Sequence, residues 1–155
     1  MDLSEQQLVD CSHLYGNMGC NGGFNVQGLA YVRDHGITDT SSYPYIAKNQ
    51  DCKIHGGNFK ISHIHSAVGC NELQNAIMGR PVGVGVDATN WSRYASGVFS
   101  NCGRHLDHNV LLVGISSSYY KIKNSWGTSW GEKGFIRLAL GNTCGICDDF
   151  SPWVS

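Results

Sequence analysis

The sequence predicts an α+β fold, and three observations predict it. Helix-start and helix-stop signals crowd the first half of the chain. From Val82 onward the apolar period changes from helical to alternating. Ser- and Gly-rich punctuation then separates the later segments at strand-like intervals. Helices first and strands later is the order of an α+β chain, with an antiparallel sheet in its C-terminal part.

The first helix opens at Ser4-Glu5-Gln6-Gln7, an S-x-x-Q capping box, and ends near Cys11. Asn17 to Gly23 is too rich in glycine for a helix and reads as an exposed tight loop. A second helix runs from about Asn25 to His35 and stops at Gly36. Tyr43-Pro44-Tyr45 is extended, because the residue before a proline avoids the helical region. A third helix has Asn71 as cap, Gln74 three residues on, Leu73 and Ile77 on one face, and Gly79 and Pro81 as its end. Val82, Val84 and Val86 alternate with glycines as a strand. His108 to Ile115 is a buried-type apolar strand, Ser116 to Ser118 a turn, and Tyr119 to Asn124 an alternating strand. Gly134 to Leu140 is the last strand expected.

Composition narrows the function classes. In 155 residues, 11 Lys+Arg nearly balance 12 Asp+Glu, with no basic stripe, so nothing points to nucleic acid or an anionic membrane. The longest apolar runs are too short to span a bilayer as a helix. Seven cysteines suggest an oxidising compartment, and the odd number leaves at least one thiol without an internal partner. Met1-Asp2-Leu3-Ser4 is no signal peptide, so the expectation is a chain that starts after a missing segment.

Two stretches carry chemistry. One is Leu106-Asp107-His108-Asn109-Val110, with a histidine opening an apolar strand. The other is Lys123-Asn124-Ser125-Trp126-Gly127-Thr128-Ser129-Trp130-Gly131. His108 and Asn124 are 16 positions apart across an expected hairpin, which can bring them side by side. An amide carbonyl beside an imidazole fixes the ring and its tautomer and leaves the other nitrogen as a base. That is half of a nucleophile–base–orienter system.

Five motifs in order resemble the papain-like, cathepsin L-like cysteine proteases. Leu3 to Ser12 looks like the segment downstream of the nucleophile helix, and Gly19-Cys20-Asn21-Gly22-Gly23 like the substrate-binding glycine loop. Asp107-His108 and Lys123-Asn124-Ser125-Trp126-Gly127 look like the catalytic His and Asn motifs, and Cys144-Gly145-Ile146 like the C-terminal cysteine motif. The resemblance implies a papain-like two-domain fold covering about the C-terminal two-thirds of the enzyme. Residues 1–62 would be the rest of a helical left domain without its central helix. Residues 63–147 would form a β-barrel-like right domain, including an aromatic loop and final strand over 124–143, and residues 148–155 a tail returning toward the left domain. Without the central helix an apolar surface should stay exposed, leaving the chain marginal by itself.

The roles implied are equally specific. His108 would be the general base and imidazolium partner of a thiolate, and Asn124 its orienter. Trp126 would cover the pair, and Trp130 would line the leaving-group side. Gly22 and Gly23 would pair with substrate backbone like an added strand. Phe24, Asn25, Gly85, Leu106, Asn109 and Asp149 would line the specificity pocket beside Asp107. Gly85 leaves room there, and Asp149 at its floor would favour basic substrate side chains. The nucleophilic Cys and the oxyanion-hole Gln belong upstream of Leu3, and no cysteine here stands in a Gln…Cys-Gly-Ser-Cys-Trp context. The resemblance pairs Cys11 with Cys52 and Cys102 with Cys144, and it leaves Cys20 to tether the missing segment. Cys70 and Cys147 fall outside the pattern and either pair with each other or stay free. A lysosomal or secreted location, a peptide or protein substrate and no cofactor follow from the same resemblance.

Rival readings are weaker. Cys144-Gly145-Ile146-Cys147 with His105 and His108 has metal-ligand residue types, but there is no second C-x-x-C. Asn90-Trp91-Ser92 fits the N-glycosylation rule, a short motif with many chance matches. A non-catalytic homologue acting as a binding or structural protein, or a relative with Ser for Cys, would carry the same residues.

Overall fold

The structure is a computed structural model that describes all 155 residues. It divides into two units, Met1–Ile64 with Val154–Ser155, and His65–Trp153.

The first unit holds helices α1 (Glu5–Cys11) and α2 (Asn25–His35). Only half of the capping box at α1 forms. Ser4 accepts the Gln7 amide at 3.0 Å, but Gln7 does not return the bond to Ser4, whose own N–H goes to the Thr38 carbonyl. The Gln7 side chain is fully buried instead: its Oε1 accepts the Thr38 N–H, and its Nε2 donates to the Ile54 and Gly56 carbonyls and the Tyr31 hydroxyl. Gln6 does the same for other loops, donating to Lys48 and Asp10 and accepting from Ile46. The inward face of α1 is therefore polar, because it satisfies loop backbone that has no ladder partner. The apolar core of this unit is small: Tyr31, Val32 and Ile37, with a few partly buried neighbours. Leu14, Met18 and Phe24 are mostly exposed. Cys11 and Cys52 form a disulfide, and Cys20 is a free, exposed thiol. Helix α2 ends where expected, at Gly36 with φ +81°.

In the second unit, β1 (Ile64–Ala67, its first residue in the first unit) leads into α3 (Gly69–Ile77). Helix α3 begins two residues before the expected Asn71 cap. Val68 is the cap, and its N–H donates to the Glu72 carboxylate at 2.7 Å, so the acid four residues on sets the start. Five strands follow: β2 (Val82–Val86), β3 (Val98–Phe99), β4 (His108–Ile115), β5 (Tyr119–Lys123) and β6 (Phe135–Ala139). They form one sheet in the order β2-β4-β5-β6-β3. Every pairing is antiparallel except β3 with β6, a parallel pair that the local sequence pattern does not predict. A further strand, β7 (Ser151–Val154), pairs with β1.

Alternation drives this sheet as the sequence predicts. Val82, Val84 and Val86, then Val110 and Leu112, Tyr120 and Ile122, and Ile136 and Leu138 bury one face against Leu73 and Ile77 of α3. Burying each such side chain contributes ~1.5–3 kcal/mol. Disulfides Cys70–Cys147 and Cys102–Cys144 tie α3 and the loop before β4 to the C-terminal turn.

A candidate active site on the β4–β5 hairpin

Strand β4 carries His108 and the end of β5 carries Asn124. A β-bulge decides whether they meet. Near the turn, Ile115 faces Tyr120 and Gly114 faces Lys121. Carried on unbroken, that register would set Asn124 opposite Leu111, on the sheet face away from His108. The register shifts between Leu112 and Gly114, so Leu112 faces Ile122 and Leu111 faces Lys123. One step further, Asn124 falls opposite Val110, on the His108 face and diagonal to it. The side chains then close the gap, with His108 Nε2 2.8 Å from Asn124 Oδ1.

This contact fixes the imidazole tautomer. Asn124 Oδ1 also accepts the Ser125 N–H at 2.9 Å, so the oxygen, not the NH2, faces both partners. A carbonyl oxygen only accepts, so Nε2 is the protonated nitrogen, and the lone pair of the neutral ring sits on Nδ1. Asn124 is 93% buried and keeps this orientation although its Nδ2 is buried without a partner. Flipping the amide would turn NH2 against two N–H donors.

Three indoles surround the pair. Trp126, itself 41% exposed, lies over His108 with ring centroids 5.1 Å apart and planes tilted by 31°. Trp130 meets Trp126 edge-on at 5.1 Å. In the sequence Trp91 stands out only as the middle of the Asn90-Trp91-Ser92 motif, yet it is the fully buried base of the cluster. Its ring is edge-on to His108 at 6.2 Å and stacks on Trp130 at 6.1 Å, and its carbonyl accepts Trp130 Nε1–H at 3.1 Å. A single tryptophan in a turn gives no periodic signal, so the sequence offered no sign of this role beyond residue type. Asp107 supports the same wall, its carboxylate accepting the Ala88 N–H and the Thr89 hydroxyl.

Gly85 and Asn109 are direct cross-strand partners in the β2–β4 ladder. A Cβ built on Gly85 would stand 3.5 Å from Leu106 Cδ1, 3.7 Å from Asp149 Oδ2 and 3.9 Å from Asn109 Oδ1. These four residues, assigned from distant parts of the sequence, therefore share one spot, and the missing Gly85 side chain keeps it open.

Gly22, Gly23, Phe24 and Asn25 belong to the first unit. The two glycines are needed for different reasons. Gly22 has φ +121° and open space where a Cβ would point, whereas a Cβ on Gly23 would collide with Asn17. Asn17 clamps this loop, accepting the Phe24 N–H and donating to the Ser12 hydroxyl, each at 2.9 Å. The C-x-x-C pair goes to two different disulfides, which removes both thiolates from metal ligation.

A family model described as "Papain family cysteine protease" matches residues 1–152. Cathepsin L 2 of Paramecium tetraurelia is 49% identical over 150 residues, covering 94% of this chain and 48% of that protein. Mouse procathepsin L is 38% identical, with 94% and 50% covered. This chain thus spans about half the length of these curated relatives. Among solved structures, a Carica candamarcensis cysteine protease in complex with E-64 superposes with a TM-score of 0.93 at 34% identity, covering 100% of this chain and 78% of that one.

Proposed function

The chain belongs to the papain family of cysteine proteases, and on that premise we propose that it supplies the base and orienting half of a cysteine endopeptidase. The nucleophilic Cys and oxyanion Gln come from residues outside these 155. The observation that carries the reading is the His108 Nε2–Asn124 Oδ1 contact at 2.8 Å, which leaves the Nδ1 lone pair as the proton acceptor. Six of the seven cysteines are in disulfides, and the seventh, Cys20, lacks the sequence context of the nucleophile.

In the completed protein His108 Nδ1 takes the thiol proton, giving a thiolate–imidazolium pair. The thiolate attacks the peptide carbonyl carbon, and the tetrahedral intermediate collapses as Nδ1–H protonates the leaving amine. Water then attacks the thioester while Nδ1 takes its proton, releasing the acid and restoring the thiolate. Asn124 holds the ring through both transfers, and Trp126 and Trp91 keep water from competing for that hydrogen bond. Gly22 and Gly23 present backbone to the substrate chain. The Gly85, Leu106, Asn109 and Asp149 spot receives a substrate side chain, and Asp149 favours Lys or Arg. Three disulfides fit a lysosomal or secreted location.

The test is intact mass of the native protein before and after reduction, combined with an epoxide probe that alkylates active-site thiols of this family. A larger species, or a second chain freed by reduction and labelled by the probe, supports the reading and makes Cys20 the tether. A native mass of only these 155 residues, with no labelling, overturns it in favour of a non-catalytic homologue. A larger species with Ser at the nucleophile position would mark the Ser-for-Cys relative.

A further inference from the structure

We propose that Asn90 is an N-glycan acceptor and that its oligosaccharide sits at the rim of the aromatic wall around His108. The inference rests on the secretory location proposed above. Asn90-Trp91-Ser92 is the only N-x-S/T triplet in the sequence. The fold sorts its three residues in a way that suits the modification. Two consecutive turns carry it, closed by the Trp91 N–H on the Ala88 carbonyl at 3.0 Å and the Tyr94 N–H on the Trp91 carbonyl at 2.9 Å. Trp91 points inward and is fully buried, while Asn90 and Ser92 are exposed on either side of it. The middle residue thus anchors the motif to the core, and the acceptor and its hydroxyl partner both face solvent.

The Asn90 amide tolerates substitution. One of its N–H groups reaches the Asn101 carbonyl at 3.0 Å. The NH2 group has two hydrogens, so replacing one leaves a donor for that bond. In the transfer, Nδ2 attacks C1 of an oligosaccharide linked to a lipid pyrophosphate. The C1–N bond forms, the C1–O bond to the pyrophosphate breaks, Nδ2 gives up one proton, and the lipid pyrophosphate leaves. Because Trp91 is edge-on to His108 at 6.2 Å, the sugar would stand one residue from the base of the site. Glycan at that place would limit how large a folded substrate can approach.

The experiment is to express the full chain behind a secretory signal in a eukaryotic host and measure intact mass before and after peptide N-glycosidase F in heavy-oxygen water. The expected result is a mass drop with a heavy-oxygen Asp at position 90, lost in Ser92→Ala and increased in occupancy in Ser92→Thr. Glycosylation accompanies chain entry, so a poorly folding variant still reports. A product whose three disulfides have formed, yet which shows no mass change on glycosidase treatment, overturns the proposal. The supplied signal guarantees entry, so that failure is separate from an error about the natural location. The latter would show instead as glycan on the expressed chain and none on the native protein.

Discussion

His108 and Asn124 are held in contact through one irregularity in the hairpin that joins them. The extra residue between Leu112 and Gly114 places Asn124 on the same sheet face as His108, and their side chains meet at 2.8 Å. Asn124→Ala should free the ring without moving the strand. This variant should lower the Nε2–H tautomer fraction of His108, read from its ring nitrogen shifts. In the completed protein His108→Ala should lose ~10²–10⁴-fold in kcat/KM. Asn124→Ala should lose less, because Nδ1 is still present. An unchanged tautomer in Asn124→Ala would refute the orienting role.

Trp91 should matter more to stability than its place in a turn suggests. It is fully buried and touches His108, Trp126 and Trp130. Trp91→Ala should cost about 3–5 kcal/mol, as for other large core aromatics. Trp91→Phe, which keeps most of the packing, should cost much less. Urea unfolding followed by far-ultraviolet circular dichroism measures both.

The Glu132–Arg137 pair should give the second unit an acid-sensitive joint. The Arg137 guanidinium holds the Glu132 carboxyl at about 2, against its ordinary 4.5, despite an opposing push from burial, and the Gly97 N–H adds to the lowering. A carboxyl depressed in the folded state contributes stability above its unfolded pKa, and that stability is lost as pH falls through the folded value. The contribution is therefore full above about 4.5 and fades toward about 2. Glu132→Gln should lower stability by about 1 kcal/mol at neutral pH, since the pair is partly exposed and screened. It should also flatten the pH dependence of the unfolding midpoint over that interval. An unchanged slope would count against the pair.

Asp149 should set substrate charge preference in the completed protein. Its carboxylate lies beside the space left by Gly85. Asp149→Asn should reduce kcat/KM for peptides with Arg or Lys at the recognised side chain by about tenfold, the loss of one charge-assisted contact, and leave Leu-containing peptides nearly unchanged. Gly85→Val should reduce both. Equal losses for basic and aliphatic peptides in Asp149→Asn would show that the acid serves packing instead.

By itself the sequence determined the residue types and the order of elements: the first two helices, the alternating strands, the Ser116–Ser118 turn, and the His108 and Asn124 motifs. These are local, because period, capping chemistry and turn residues act over a few positions. The resemblance also placed two disulfides, Cys11–Cys52 and Cys102–Cys144, where they are found. Tertiary structure decided the rest. It paired Cys70 with Cys147, which spacing left open, by bringing together residues 77 positions apart. It spent Gln6 and Gln7 on loop backbone, overriding the capping box that local chemistry favours. It buried Trp91 under the histidine, and it slipped the β4–β5 register by one residue. Each of these depends on what a group meets across the fold, since a buried donor, a ring or a strand face is satisfied only by a partner that sequence distance does not reveal.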